Sequence, residues 1–198
     1  MGTPADPFGC VKNTIRVRSG RYFDLLDPQP DQFTLADIAG ALSKMCRFGG
    51  QIGRFYSVAE HSVLCAQQAA ADGASIEVQA ACLMHDAAEA FIGDVVKPLK
   101  VMLPQYHEVE RRVELCIVRK YRLGGTGDWP PVKVKEIDRA MLIAERRALF
   151  TADEVVWTGE KLVRRLDVNF RCYSPMAAEE RFLSAAERLG ITDWPGAA

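Results

Sequence analysis

Several features that would assign a function directly are missing from this sequence. The 25 Lys and Arg residues are balanced by 26 Asp and Glu residues, which gives a formal net charge of -1. Proteins that hold long nucleic acid present an excess of positive charge, so this balance argues against such a partner. The six cysteines form no C-x-x-C pair, which argues against a zinc knot. No G-x-S-x-G motif indicates a serine nucleophile.

The sequence also lacks a long apolar run. No stretch reaches the roughly 20 residues that a helix needs to cross a bilayer. Residues 1–7 lack the charged and apolar regions of a signal peptide. We therefore expect a soluble, cytoplasmic protein without a membrane partner. Because disulfides are rare in that compartment, we interpret the cysteines as reduced core residues, Cys65 and Cys82 among them.

The hydrophobic pattern predicts one mostly helical domain over residues 1–198, with 48% hydrophobic residues to fill its core. Residues 1–31 are predicted to form an N-terminal arm and a small β-hairpin around Ser19-Gly20. Residues 34–190 are predicted to form the helical core. Capping boxes are expected where Thr34 and Ser57 start helices, each paired with an acidic residue three positions later. The predicted helices cover residues 34–46, 57–71, 75 to about 92, 104–122, 131–151 and 174–189, and Gly-rich loops are predicted at 49–53 and 124–128.

A histidine and an aspartate, His85 and Asp86, follow the apolar run 79–84. Polar groups at the end of an apolar helix cost free energy unless they are paired, and a metal ion would pair with both. On one continuous helix, Glu89 would share a face with them. The alternative is a capped helix end with incidental charges.

Two further residues of the ligand type lie in otherwise apolar helical patterns. His61 falls in the first turn of the helix that begins near Ser57, and Asp138 falls in the helix 131–151. The third histidine of the sequence, His107, lies on a polar helix face and is predicted to be a surface residue. Two histidines and two carboxylates would leave positions open on an octahedral ion for a water molecule and a substrate oxygen.

The order His61, His85-Asp86, Asp138 resembles the H…HD…D signature of the HD-domain phosphohydrolases. The sequence is also similar to bacterial 5′-deoxynucleotidases and to their phage relatives that hydrolyse deoxynucleoside triphosphates, notably dATP. That closer similarity covers about residues 34–149. It is carried by Arg47-Phe48, Tyr56-Ser57-Val58-Ala59-Glu60-His61-Ser62, His85-Asp86-Ala87-Ala88-Glu89 and Gly93-Asp94.

The resemblance implies a fold and a set of roles. The fold would be all-α, an HD-domain helical bundle with the small hairpin at its start. One divalent ion is implied, usually cobalt or manganese, with zinc, magnesium, nickel or iron as further possibilities. Because family members are dimers or larger, a homo-oligomer is also implied. The implied roles are metal ligation by His61, His85, Asp86 and Asp138, proton transfer and water positioning by Glu89 and Asp94, and phosphate binding by Arg47.

The sequence departs from the deoxynucleotidases at one position, because Phe48 stands where they have tryptophan. An aromatic residue there can pack on the sugar and leave no space for a 2′-hydroxyl, and phenylalanine provides a smaller wall without the indole donor. Lys97 and Lys100 lie just after Asp94. They could meet further phosphates, or they could be solvated lysines at a helix start.

These observations lead to a functional expectation with two alternatives. We expect metal-dependent hydrolysis of a deoxynucleoside monophosphate to the deoxynucleoside and phosphate. A dATP or dNTP triphosphohydrolase that releases tripolyphosphate is the second interpretation. The third is a nucleotide-binding sensor without turnover, although a binder would not need both Glu89 and Asp94. The sequence leaves the base, the phosphate count and the native metal open.

Overall fold

The computed structural model describes residues 13–124, 129–152, 155, 157 and 160–193. Within these ranges the protein is mostly helical, and it carries one small two-stranded antiparallel sheet near its N-terminus. The strands are β1 (Thr14–Arg16) and β2 (Tyr22–Asp24). The helices are α1 (Leu35–Leu42), α2 (Val58–Ala71), α3 (Ile76–Met84), α4 (Glu89–Ile92), α5 (Lys97–Lys100), α6 (Pro104–Tyr121), α7 (Val132–Leu149) and α8 (Pro175–Arg188).

Two parts of the sequence prediction fall outside the described residues. These are residues 1–12 of the N-terminal arm, with Cys10, and residues 125–128 of the predicted Gly-rich loop. No helix in the described part of the chain is long and apolar enough to cross a membrane.

The predicted hairpin is confirmed, with shorter strands than expected. Ile15 lies opposite Phe23 in the register, and Gly20 makes the turn at a φ of +88° that favours glycine. Asp37 of α1 fixes this turn, because its carboxylate accepts the Ser19 backbone N–H at 2.6 Å and the Ser19 hydroxyl at 2.8 Å. On the other side of the hairpin, the buried Phe23 ring stacks on Phe91, with ring centroids 4.0 Å apart. The hairpin is therefore attached to the helical core at its turn and through Phe23.

The capping box predicted at Thr34 is confirmed, because the Thr34 and Asp37 side chains each bond the other residue's backbone N–H. The capping box predicted at Ser57 is half wrong. The Ser57 hydroxyl accepts the Glu60 N–H at 3.1 Å, as expected. The Glu60 carboxylate, however, accepts the backbone N–H groups of residues 171, 172 and 173 at 2.9, 3.0 and 2.8 Å. Glu60 thus attaches the segment before α8 to the start of α2.

The bundle is built around α2, which packs against α3, α7 and α8, while α1 packs against α4 and α8. The inner face of α2 carries small side chains, including the buried Ala59, Ala66 and Ala69. Small residues let neighbouring helices approach closely, so residues at the start of α2 lie near α3 and α7. His61 is in this position and is fully buried.

Most other helix boundaries agree with the prediction to within two residues, and two do not. The helix starting at Thr34 ends at Leu42 rather than near Cys46, because Cys46 pairs with Ser57 in an isolated antiparallel bridge. A residue in extended conformation cannot continue a helix. The second difference is the break in the helix that carries His85. The predicted start of α8 is confirmed, since the Ser174 side chain accepts the Ala177 N–H.

We predict that Asp37→Asn lowers the free energy of unfolding by about 1–3 kcal/mol at pH 7, because it removes a charged acceptor from four donor groups. Burial raises the pKa of Asp37, but hydrogen bonds from Ser19 and Thr34 outweigh it and lower the pKa below the usual 3.8. The stabilisation by the Asp37 carboxylate is therefore fully present above the usual pKa of 3.8, and it is lost as the pH falls through the lowered pKa. The free energies of unfolding of the wild type and of Asp37→Asn, measured in urea, should differ less at pH 3 than at pH 7. The exposed Asp167→Asn is the control, and a difference independent of pH would contradict the assignment.

Candidate metal centre

The chain does not pass through His85, Asp86 and Glu89 as one continuous helix, and that prediction is wrong. α3 ends at Met84 and α4 begins at Glu89. Between them the backbone bonds are of the i→i+3 type, as in Ala87 N–H to Met84 O and Glu89 N–H to Asp86 O, each 3.0 Å. This tighter winding has three residues per turn, so it brings residues 86 and 89 over one another.

The four predicted ligand residues lie together. The Nε2 atoms of His61 and His85 are 3.3 Å apart. Asp138 Oδ1 lies 3.2 Å from His61 Nε2 and 3.7 Å from His85 Nε2. Asp86 places Oδ2 3.6 Å from His61 Nε2 and Oδ1 3.3 Å from His85 Nε2. Three helical segments, α2, the turn after α3, and α7, therefore bring four ligand-type side chains to one point.

The hydrogen bonds on the far side of each imidazole fix its tautomer. His61 Nδ1 lies 2.5 Å from a carboxylate oxygen of Glu145, and His85 Nδ1 lies 2.8 Å from the Cys82 carbonyl oxygen. Both partners can only accept, so each Nδ1 carries a hydrogen and Nε2 is the nitrogen that faces the carboxylates. Burial lowers the pKa of both imidazoles, but the acidic side chains around them outweigh it and raise both pKa values, so this centre favours positive charge at Nε2. Two unprotonated Nε2 atoms and two carboxylates facing one another repel unless a cation lies between them. The donor set therefore fits a divalent ion.

Sequence reasoning missed Glu145, the group that orients His61. Its carboxylate is fully buried and also accepts the Arg47 guanidinium at 3.2 and 3.3 Å and the Tyr56 hydroxyl at 2.8 Å. Burial raises the pKa of Glu145, but Arg47 and His61 outweigh it and hold the pKa at about 2. The available signal was its spacing, since Glu145 lies seven residues, or two turns, after Asp138 and so on the same face of α7.

Cys65 is a further residue of this centre, and the core-residue interpretation of it was incomplete. It lies one turn after His61 on α2, and the buried side chains of His61, Cys65 and His85 form a group that could hold a metal ion. Its Sγ atom lies 3.6 Å from His61 Nε2 and 4.0 Å from His61 Nδ1. These similar distances place the sulfur beside the ring and off the axis of the Nε2 lone pair. The five cysteines within the described ranges are all free thiols.

Two acidic side chains lie next to the centre. Glu89 is buried, and its Oε2 is one of two buried side-chain oxygens without a hydrogen-bond partner in the described part of the chain. Burial raises the pKa of Glu89 well above its usual value, and Asp86 and Asp94 raise it further. Burial also raises the pKa of Asp94, against the opposing effect of Arg47. Both carboxyl groups are therefore shifted toward the protonated form.

The residues predicted to bind substrate differ in their ion pairs and in their exposure to solvent. Arg47 is bound through Nε and Nη2 to Glu145, and its Nη1 lies 3.3 Å from Asp86 Oδ2. Phe48 has a φ of +59°, and its ring packs edge-to-face on the Phe150 ring, with the two ring centroids 5.0 Å apart. Lys100 is paired with Glu110 of α6, and Lys97 is exposed. His107 is half exposed on α6, which confirms it as a surface residue.

The fold and the centre define a mostly helical protein with a candidate metal site between α2, α3 and α7. No protein-family model matches the chain. It is 40% identical over 146 residues to the uncharacterized protein YfdR of Escherichia coli (strain K12), which covers 72% of this chain and 76% of YfdR. It is 34% identical over 168 residues to an uncharacterized protein of Rhodobacter capsulatus, which covers 79% of this chain and 86% of that protein. The chain therefore belongs to the same family as YfdR.

A pair of variants distinguishes the two possible ligand sets around His61 and His85. Because Sγ lies beside the His61 ring, we expect Cys65→Ser to retain nearly all of the bound metal. Asp138→Ala removes an oxygen that faces both imidazoles, so we expect it to lose metal. Metal content after dialysis, measured by elemental analysis, checks both expectations, with exposed Glu136→Ala on α7 as the control. Loss of metal in Cys65→Ser and retention in Asp138→Ala would assign the thiol as the ligand instead.

Proposed function

We propose that this protein is an HD-domain phosphohydrolase that hydrolyses deoxynucleoside monophosphates with a divalent metal ion. The observation that carries the proposal is the convergence of two oriented Nε2 atoms with the carboxylates of Asp86 and Asp138. Histidine nitrogens with carboxylate oxygens are ligands for first-row metals, and cobalt or manganese is the ion we propose. The resemblance to dimeric relatives makes a homo-oligomer part of the same proposal.

His61, His85, Asp86 and Asp138 would hold the ion. When bound, a divalent ion lowers the pKa of a coordinated water and neutralises charge on phosphoryl oxygens. The chain orients the reaction, because Glu145 and the Cys82 carbonyl fix both histidine rings before any substrate arrives. The site is more open at Asp138, whose side chain is 40% exposed, than at His61, whose side chain is 0% exposed. Substrate would therefore approach from the Asp138 side.

Glu89 and Asp94 would carry protons between the attacking water and the leaving oxygen. The unpartnered Oε2 of Glu89 is free to take a proton, and the raised pKa of Glu89 suits a carboxyl group that accepts one. A binding protein has no need of a buried carboxyl group in this state. This feature supports an enzyme over the alternative of a non-catalytic sensor.

Arg47 would bind the phosphate through one edge of its guanidinium. Glu145 occupies Nε and Nη2, so only the Nη1 edge, which points toward Asp86, is directed into the centre. A guanidinium fixed in this way pre-organises a planar donor for a phosphate oxygen. Conversion to lysine would lose both the Glu145 contact and this orientation.

The charges beyond Arg47 favour a monophosphate over a triphosphate. Lys100 is held by Glu110 and lies over the Tyr106 ring, with Nζ 5.4 Å from the ring centroid. Lys97 is exposed at the start of α5. A triphosphate tail would need cations that are available to it, and Lys100 would first have to leave its carboxylate. The dNTP triphosphohydrolase that releases tripolyphosphate is thus the less favoured alternative.

The decisive experiment is a substrate panel with the purified full-length protein. Deoxy- and ribonucleoside mono-, di- and triphosphates are incubated with manganese or cobalt, and phosphate and tripolyphosphate are measured separately. We expect phosphate release from deoxynucleoside monophosphates that stops when the metal is chelated. Release of tripolyphosphate alone would support the alternative enzyme. Tight nucleotide binding without any product would support the sensor.

We predict that Glu89→Gln and Asp94→Asn each lower kcat by roughly 10²–10⁴-fold, because each removes a positioned proton-transfer group. Neither residue is a proposed metal ligand, so the metal content should stay that of the wild type. Single-turnover rates with metal analysis of the same samples check both points. Exposed Glu108→Gln on α6 is the control. Rates near wild type in both variants would mean that the ion alone activates the water.

The backbone at Phe48 generates a prediction about the sugar. A left-handed φ at a phenylalanine costs about 1–3 kcal/mol, and such strain persists where the surrounding structure fixes a side chain. We propose that its half-buried ring walls off the 2′ side of the sugar. Phe48→Ala should therefore narrow the preference for dAMP over AMP, mainly through faster ribonucleotide turnover. Values of kcat/KM for both substrates check this. The variant Phe150→Ala tests whether the packing of Phe150 on the Phe48 ring is needed to hold that ring in place. Equal wild-type rates on dAMP and AMP would exclude a sugar wall.

A further inference from the structure

Two adjoining clefts open between α2 and α8, away from the metal centre. Their volumes are about 170 and 300 Å³, and both are lined by Val63, Gln67 and Arg181. Together they are large enough for a small metabolite. The inner cleft is also lined by Asn169, Arg171 and Tyr173 of the segment before α8. None of the residues assigned to the metal centre lines either cleft.

The charged groups of these clefts are mostly cationic. Arg171 and Arg181 line the inner cleft, and Arg181 and Arg188 line the outer one. Within the described ranges, Arg171 and Arg181 form no ion pair with a carboxylate. The inner carboxylate, Glu60, is buried and is occupied by three backbone N–H groups.

The remaining carboxylate of the clefts, Glu180, is exposed in the outer one and leaves the cations in excess. Arg171, Arg181 and Arg188 are exposed, so they can meet an anion that enters these open clefts from solvent.

Arg181 is held in place before any ligand binds. Its guanidinium lies over the Tyr173 ring at 4.1 Å from the centroid, and the Tyr173 backbone N–H is fixed by Glu60. Stacking leaves the N–H edges of a guanidinium available for planar recognition of phosphate oxygens. Gln67 and Asn169 add neutral amides to the same cleft.

We propose that the cleft between α2 and α8 is a second binding site, which takes a small phosphate-bearing anion. The phosphate is bound by Arg171 and Arg181, and the rest of the molecule lies in the outer cleft toward Arg188. The site is connected to the metal centre, because Glu60 anchors residues 171–173 and directly precedes His61. This inference does not depend on the proposed hydrolysis.

The test is a titration of the purified protein with inorganic pyrophosphate, followed by amide NMR signals. We expect the side-chain amides of Gln67 and Asn169 and the backbone amides of residues 171–173 to shift, with smaller shifts at Glu60 and His61. Arg181→Ala should weaken this binding about tenfold, the value of one charged hydrogen bond. Arg111→Ala removes the same charge from α6, which does not line the cleft, and should leave binding unchanged.

Each other outcome overturns the proposal. Shifts confined to the surroundings of Arg47 and His85 would place the pyrophosphate in the metal centre alone. Equal weakening by Arg181→Ala and Arg111→Ala would mean that only the net charge matters. An absence of shifts at millimolar pyrophosphate would exclude a phosphate site. The substrate panel measures hydrolysis separately, so either proposal can fail while the other stands.

Discussion

The buried carboxylate of Glu145 is the constraint on which the candidate centre depends. A charge with no exposed surface costs several kcal/mol of desolvation, and this cost is offset only by hydrogen bonds from well-placed partners. Glu145 receives them from Arg47, Tyr56 and His61, at distances of 2.5 to 3.3 Å. Removing it would leave the Arg47 guanidinium buried beside Asp86 alone and would free the His61 ring to change tautomer. The same interaction therefore stabilises the fold and prepares the metal ligands.

This network explains the unusual backbone before α2. Arg47 reaches Glu145 from a segment that is held by the Cys46–Ser57 bridge and by the Arg47 N–H, which donates to the Tyr56 carbonyl at 2.9 Å. The chain then reverses through Phe48 and Gly49, at φ values of +59° and +60°. Only glycine adopts this conformation without cost, so the network must hold Phe48 there. One buried ion pair thus determines where the ring beside the proposed sugar site is placed.

The sequence was sufficient to predict the members of the candidate centre where polar residues interrupt an apolar pattern. His61, His85-Asp86 and Asp138 were predicted to lie together on this basis, and the structure brings their polar atoms to 3.2–3.7 Å from one another. Glu145 was missed because a glutamate on an amphipathic helix looks like a surface residue until tertiary contacts are known. Tyr56 was part of the motif that carries the resemblance, but no role was predicted for it. Glu60 was misassigned for a related reason. The capping role predicted for Glu60 involves only neighbouring residues. The three backbone N–H groups that its carboxylate accepts lie more than 100 residues away in the chain, where no local rule applies. The i→i+3 turn at residues 85–88 was also not predictable, because these four residues include no glycine or proline that would mark a break, and tertiary packing winds them more tightly.

The balance of charge gives the strongest physical reason for a cation in this centre. Five carboxyl groups, those of Asp86, Glu89, Asp94, Asp138 and Glu145, surround two imidazoles. Among the described lysines and arginines, Arg47 faces these carboxyl groups directly, whereas Lys100 is already paired with Glu110. The carboxyl groups also raise the pKa values of both imidazoles, against the effect of burial. Burial, and after it the neighbouring carboxylates, raise the pKa values of Glu89 and Asp94. A phosphate dianion would be repelled from such a site unless a divalent ion first reversed the local charge. Metal and substrate binding should therefore be ordered, with the metal first, and the exposure of Asp138 leaves the route by which both would enter.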